Sequence, residues 1–357
     1  MAARACILGC AGPTLGAEER AFLRDARPWG FILFKRNVES PEQVRALTAA
    51  LREAVDREDA PVLIDQEGGR VQRMGPPHWP AYPPGSAYGA LPANDPLARR
   101  EAVRLGARLM AHDLAAVGID VDCVPVADVP APDVHDVIGD RAYAETAEEV
   151  AVLARAAAEG LLAGGVLPVV KHIPGHGRAR ADSHHELPVV DAGREALDAV
   201  DFTPFRVLSD LPMAMTAHVV YAAWDRRRAA TVSRKVVRRV MREAIGFDGL
   251  IMTDDLGMKA LQGSLAELTR ASLAAGCDVA LHCSGVLSEN REVAEAAPKL
   301  AGKARRRAEA ALARRVRTPE PLDVGEARAR FAEIMSGRAA RPAREPDGPD
   351  PTADGRR

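Results

Sequence analysis

Gly249-Leu250-Ile251-Met252-Thr253-Asp254-Asp255 is a short apolar run that stops on two carboxylates. Four to six apolar or β-branched residues between turn signals read as a strand buried on both faces. Seven more runs of this kind occur, at residues 5–8, 30–34, 62–65, 119–126, 166–171, 214–218 and 278–282. Helical periodicity fills the intervals between them. Ser40-Pro41-Glu42-Gln43 is a capping box with proline at the first helical position, followed by Leu47, Leu51 and Val55 at helical spacing. Residues 97–117, 144–162, 233–245 and 264–275 are similar amphipathic stretches. Gly118, Gly165, Gly246 and Gly276 stand where these helices hand over to strands, as left-handed C-terminal caps. Eight strands alternating with helices predict an α/β fold: a single-domain (β/α)8 barrel of the TIM type over residues 1–317. Residues 318–336 are expected to add a short helical C-terminal extension. Residues 337–357, rich in Gly, Pro, Asp and Arg, are expected to be a disordered tail.

Barrel enzymes build their sites at the C-terminal ends of the strands. Those ends here read Lys35-Arg36, Asp65-Gln66-Glu67, Asp128, Lys171-His172, Thr216 to His218, Thr253-Asp254-Asp255 and His282. Any one of these could simply mark where a strand meets solvent; the whole set points to an active site. Lys171-His172-Ile173-Pro174-Gly175-His176-Gly177 followed by Asp182-Ser183-His184-His185 is the densest segment. Its glycines and proline predict a long, irregular, mobile loop over a pocket. Asp182 and His184 are two apart, so in extended chain they share a face, and a carboxylate beside an imidazole makes a general acid/base. Taken alone, such a pair is more often a surface pair or a pair of metal ligands. Asp254, backed by a buried strand, is placed as a nucleophile, with Asp255 expected to cap the next helix.

Composition limits the alternatives. Lys and Arg total 48 against 50 for Asp and Glu, so no basic excess marks a nucleic-acid binder. No run approaches a membrane span. Ile7-Leu8-Gly9-Cys10 has the form of a lipoprotein cleavage box, but the apolar run is shorter than a signal-peptide core and reads as the first strand. Cys6, Cys10, Cys123, Cys277 and Cys283 are odd in number, form no CxxC pair and lie mostly in apolar runs, which fits a reducing cytoplasm better than a disulfide framework.

Four motifs in order, Asp65-Gln66-Glu67-Gly68-Gly69-Arg70-Val71-Gln72-Arg73, Lys171 to Gly177, Asp182-Ser183-His184, and Thr253-Asp254-Asp255-Leu256-Gly257-Met258, resemble glycoside hydrolase family 3. Within it they are similar to the single-domain bacterial β-N-acetylglucosaminidases of the NagZ type, over residues 5–300. Ile173 departs from the commoner Phe, Cys123 from the commoner Ala, and the tail has no counterpart. The resemblance implies that Asp254 is the nucleophile and that His184, held by Asp182, is the acid/base. It implies that Asp65, Arg73, Arg141, Lys171 and His172 bind the sugar. It further implies a cytoplasmic enzyme acting on peptidoglycan fragments, removing N-acetylglucosamine from 1,6-anhydro-N-acetylmuramic acid with or without peptide. No cofactor or metal is expected, nor a nucleic-acid or membrane partner, and the enzyme is expected to be a monomer. Three alternatives stay open. A metal-dependent hydrolase could use His172, His176 and Asp254, although Pro174-Gly175 breaks helical ligand spacing. A phosphorylase could use the histidine with phosphate as acceptor, and a sugar-binding barrel would need no catalysis.

Overall fold

Each of the eight apolar runs forms a strand, and nearly every residue in them is buried. The computed structural model describes residues 2–92, 95–131, 137–179 and 187–337. The strands are β1 (Arg4–Gly9), β2 (Pro28–Leu33), β3 (Val62–Ile64), β4 (Val121–Asp122), β5 (Leu167–Ile173), β6 (Met213–Thr216), β7 (Leu250–Asp255) and β8 (Val279–His282). They pair in parallel, each with its chain neighbour, and β8 returns to β1 to close the barrel. The helices named below are α1 (Ala17–Ala26), α2 (Pro41–Ala54), α3 (Pro96–Ala115), α4 (Ala147–Ala163), α5 (Leu265–Ala275), α6 (Leu287–Ala296), α7 (Gly302–Ala313) and α8 (Val324–Ser336).

Side-chain alternation along the strands sorts the core into two layers. Ile7, Leu63, Val169, Met213, Leu250, Met252, Val279 and Leu281 belong to one cluster that also takes Ala308 and Ala311 of α7. This is the barrel lumen, with α7 packed against it. Leu8, Phe31, Leu33, Ile64, Val170 and Ile251 belong to a second cluster with Leu47 and Leu51 of α2 and Ala154, Ala157 and Leu161 of α4. This is the interface between barrel and helices. The lumen-facing parity continues from Leu63 to Asp65 and from Val169 to Lys171, whereas the register of β7 against β8 shifts between Met252 and Asp255.

Three strands end two or more residues from the ends of their runs; the run 214–218 gives Met213–Thr216. The run 119–126 gives only a two-residue ladder, Val121–Asp122. Pro125 has no N–H to contribute, yet its carbonyl still accepts from Lys171 N (2.9 Å) and Val124 O accepts from Val169 N (2.9 Å). By contrast β5 runs on through His172 and Ile173. The stretch expected as one α-helix at 233–245 makes one α-turn, Arg234–Val236, and then winds more loosely as a π-helix over Val237–Ala244.

The caps agree with their residue types. Ser40 accepts from Gln43 N in front of Pro41, while the Gln43 side chain reaches Glu39 N instead of closing the box on Ser40. Gly118, Gly165, Gly246 and Gly276 all have φ between +79° and +119°. Helix α8 lies on α3: Phe331 packs 6.2 Å from the Tyr88 ring, and Arg330 pairs with Glu101 at 2.8 Å. Backbone bonds from Ala5 N to Pro298 O and from Leu300 N to Ala3 O (both 2.8 Å) join the start of β1 to the segment after α6.

Candidate active site

Asp65 follows β3 and Lys171 lies near the end of β5, both on the lumen-facing register, and a short hairpin, Gln66–Gly68 with Val71–Gln72, follows β3. The hairpin turns back so that Arg73 lies beside Asp65. Gln66 locks this turn: its side-chain oxygen accepts from Arg73 N (3.1 Å) and Met74 N (3.0 Å), and its amide donates to Met74 O (2.7 Å). Gly68 and Gly69 sit at φ +91° and +59°, and a Cβ on Gly68 would meet Pro83 O at 2.3 Å.

Four of the expected site residues meet in one buried lattice of charge. Lys171 Nζ lies 2.7 Å from Asp65 Oδ1 and 2.6 Å from Glu67 Oε1. Arg73 donates to Asp65 Oδ2 at 3.1 Å. Arg141 is brought in by a short turn, Gly139–Arg141, and bonds Glu67 at both oxygens. Arg73 and Lys171 are each 1% exposed, so these charges are screened by one another and hardly by solvent. Burial pushes the Asp65 and Glu67 carboxyls up, but the opposing Lys171, Arg73 and Arg141 charges outweigh it. Asp65 is held well below the usual carboxylate range and Glu67 is lowered to about 2. Asp122, beneath the lattice, is pushed the other way by burial and by the Asp65 and Glu67 charges, while one of its oxygens accepts from Gln66 N at 3.0 Å.

His172 stands beside the lattice on its own carboxylate. Its Nδ1 lies 2.7 Å from Asp128 Oδ2. Asp128 Oδ1 also accepts from His172 N (3.2 Å) and His176 N (2.6 Å). One aspartate therefore fixes both ends of the His172–His176 turn. Residues 174–177 are buried and bonded: Tyr221 Oη donates to Gly175 O at 2.5 Å, and Ala131 N donates to Gly177 O. The start of the segment expected to be a mobile loop is therefore tied down, while residues 180–186 of it lie outside the described residues. Gly177 is small because a Cβ would lie 1.8 Å from Val129 O; close approach of backbone, not freedom, requires it. Asp182 and His184 lie outside the described residues.

Asp254 is half-buried at the end of β7, where the register against β8 shifts, and its Oδ1 accepts from Asp255 N at 2.8 Å. The charges of both Asp254 and Asp65 act on the buried thiols of Cys123 and Cys283, which places the two carboxylates around the same mouth. Asp255 is one residue on and faces the helix layer. It does not cap the next helix, which starts at Leu265 under its own Ser264–Glu267 capping box. Instead Asp255 Oδ1 accepts from Gly257 N (3.0 Å) and Cys283 N (3.1 Å). The five cysteines are all buried and unpaired.

The glycosyl hydrolase family 3 N-terminal domain matches residues 10–318. The chain belongs to that family. Among glycosyl hydrolase family 3 relatives, a β-hexosaminidase of Alkalilimnicola ehrlichii is 42% identical over 78% of this chain and 80% of its own length. One from Bordetella parapertussis is 39% identical over 77% of this chain and 78% of its own. In three dimensions the chain is similar to NagZ from Neisseria gonorrhoeae in complex with N-trifluoroacetyl-D-glucosamine. There the identity is 30% and the TM-score 0.83, over 95% of this chain and 99% of that one. The barrel is therefore the family's TIM-like catalytic domain.

Two residues that organise the glycosyl hydrolase site were visible as strand-end acids yet not singled out as site residues. Glu67 takes Arg141 and Lys171, and Asp128 takes His172. Their signal was present in the pairing of each acid with a nearby base, but only the fold decides which base each acid meets.

Proposed function

We propose that this family 3 hydrolase is a retaining exo-β-N-acetylglucosaminidase. Its proposed substrates are N-acetylglucosaminyl-1,6-anhydro-N-acetylmuramic acid fragments, with or without peptide, and its place is cytoplasmic peptidoglycan recycling, as a monomer without cofactor. The β-hexosaminidase activity follows its relatives. One observation supports the chemistry most: Asp254 stands at the C-terminal end of β7, at the same end of the barrel as Asp65 and Lys171, so a carboxylate held on a strand shares the mouth with a rigid polar lattice. A sugar seated on that lattice would present its anomeric carbon to Asp254.

In this reading Asp65 accepts two sugar hydroxyls, and Arg73 and Lys171 hold it ionised and aimed. Asp254 attacks the anomeric carbon while His184 protonates the departing oxygen, giving a covalent glycosyl-enzyme. His184 then takes a proton from water, and the sugar leaves with its configuration retained. Asp182 stabilises the imidazolium. The roles of Asp182 and His184 rest on the Asp-Ser-His motif alone. The free, buried cysteines suit a reducing compartment.

The test is release of p-nitrophenol from the β-N-acetylglucosaminide and the β-glucoside by wild type, Asp254→Ala and His184→Ala. The expected result is turnover of the first substrate only, lowered by Asp254→Ala by about three or more orders of magnitude, as loss of a nucleophile does. NMR should show the β-anomer forming first. Full activity in Asp254→Ala, or the α-anomer first, would overturn the assignment. Phosphate is expected to leave the rate unchanged, which separates hydrolysis from phosphorolysis. Among the described residues no group of three His, Cys, Asp or Glu is placed to hold a metal ion, and chelation is expected to leave turnover unchanged.

A further inference from the structure

Behind the strand that carries Asp254 lies a second group of buried ionisable side chains that the proposed reaction does not use. His282 ends β8 on the parity opposite to Leu281, so it faces the helix layer, not the lumen, and it is 1% exposed. Its Nδ1 lies 3.3 Å from Asp255 Oδ1. Its Nε2 lies 3.0 Å from Glu289 Oε2 on α6 and 2.9 Å from Ser284 Oγ. The charged groups acting on the ring are Asp255 from β7 and Glu289 from α6.

Counting protons fixes the Nε2 side of the ring, and the neighbouring charge bears on the Nδ1 side. Ser284 has one hydroxyl proton, and it goes to Glu289 Oε2 at 2.5 Å. Ser284 Oγ also accepts from Val286 N at 3.1 Å. It can then only accept from His282, so Nε2 carries a proton. On the other side Nδ1 faces Asp255 Oδ1 at 3.3 Å, an ion-pair distance without hydrogen-bond alignment; that oxygen accepts two backbone N–H groups and has no proton to donate, so the contact is attractive when Nδ1 is protonated. Both ring nitrogens face acceptors. Burial disfavours the charged ring, and the two carboxylates more than compensate, raising its pKa.

We infer that His282 is a positioning residue: a doubly protonated imidazole that ties Asp255 to Glu289 and thereby fixes the backbone turn on which Asp254 sits. Asp255 is held from three sides. His282 meets its carboxylate, and Gly257 and Cys283 donate to the same oxygen. His218 Nε2 donates to its carbonyl at 2.9 Å. The N–H of Asp255 in turn donates to Asp254 Oδ1, so any rotation of residue 255 is passed to the carboxylate beside it. Gly257 gives the ring its room: a Cβ there would come 3.2 Å from His282 Cε1. A nucleophile on a rigid backbone reacts faster because its attack geometry is set beforehand, and a misplacement near 1 Å can cost about a hundredfold.

The inference rests on Asp254 being the nucleophile, and the experiment separates the two. Kinetics on p-nitrophenyl N-acetyl-β-glucosaminide would be compared for wild type, Glu289→Ala, Glu289→Gln, His282→Gln and Asp254→Ala, and the ring nitrogens of His282 read by 15N NMR in the wild type at pH 8. A positioning role predicts kcat lowered by roughly 10- to 100-fold in Glu289→Ala and His282→Gln, with KM within about twofold. Glu289→Gln, whose amide oxygen can still accept, should recover most of the loss. NMR should find both ring nitrogens protonated. A neutral ring at pH 8, wild-type kcat in both Glu289→Ala and His282→Gln, or a change confined to KM would each overturn the proposal. Because Glu289 is partly exposed, its variants test the clamp even where His282→Gln fails to fold. Activity that survives Asp254→Ala would defeat the nucleophile reading alone, and the NMR result would still report the clamp.

Discussion

Arg141 and Glu67 meet fork to fork, Nε on Oε2 and Nη2 on Oε1, each at 2.8 Å. Arg141 Nη1 turns to Val137 O at 3.3 Å. The guanidinium is therefore directed at Glu67 and the chain, and it holds the acid that also holds Lys171. Lysine cannot copy two parallel bonds. Arg141→Lys is expected to raise KM severalfold and to lower stability by about 1–3 kcal/mol, the cost of leaving a buried acceptor poorly paired. Michaelis kinetics and denaturant titration on the same samples check both halves.

The lattice also sets an acid limit. Glu67 is lowered from 4.5 to about 2 in the folded state by Arg141 and Lys171, against the opposing effect of burial. A folded pKa below the unfolded one means stability that is fully present above about pH 4.5 and is lost as the pH falls towards 2; the amount is on the order of 3 kcal/mol. Asp65 is lowered in the same sense and adds to the loss. Urea midpoints measured from pH 6 down to pH 3 should fall steadily below pH 4.5 in the wild type. In Glu67→Gln the wild-type slope should be shallower and the plateau above pH 5 lower.

Asp128 carries three bonds to the His172–His176 turn and is fully buried. Asp128→Asn keeps the shape but replaces one acceptor by a donor facing His172 Nδ1. The ring can answer by changing tautomer, so the expected loss is small in stability and larger in kcat/KM, about tenfold. Asp128→Ala leaves both backbone N–H groups without a partner and should cost about 3 kcal/mol or more. Equal effects of the two variants on kcat/KM would contradict this division.

Gly177 has no space for a side chain, since its Cβ would stand 1.8 Å from a backbone oxygen of Val129. Gly177→Ala must therefore move main chain on one side or the other. A loss of stability of about 1–3 kcal/mol is expected, together with a fall in kcat, because the turn fixed by Asp128 moves with it. Thermal unfolding and kinetics at one temperature would show whether both fall; a variant with wild-type values in both would refute the packing argument.

Much of this was legible before any coordinates. Burial on both faces leaves a strong compositional mark, so the eight strands could be read from runs such as 250–254, and left-handed caps need glycine, so Gly118, Gly165, Gly246 and Gly276 were readable one by one. The pairing of charges was not. Asp254 and Asp255 are neighbours in sequence, and only the folded strand, whose register shifts between Met252 and Asp255, shows that it is Asp255 that meets His282. Glycine carried two meanings that sequence cannot separate: freedom at Gly175, with φ +133°, and lack of space at Gly177. The π-helical winding at Val237–Ala244 has the same apolar spacing as an α-helix over so short a length, so periodicity could not distinguish them.

The seam between β1 and the segment after α6 has a practical meaning. Ala3 and Leu300 are bonded to each other at the starting ends of the strands, on the face opposite Asp254. A tether or fusion attached beside Ala3 would anchor the molecule by its base and leave the mouth turned towards solution, so an immobilised enzyme oriented in this way should keep access to large glycosides.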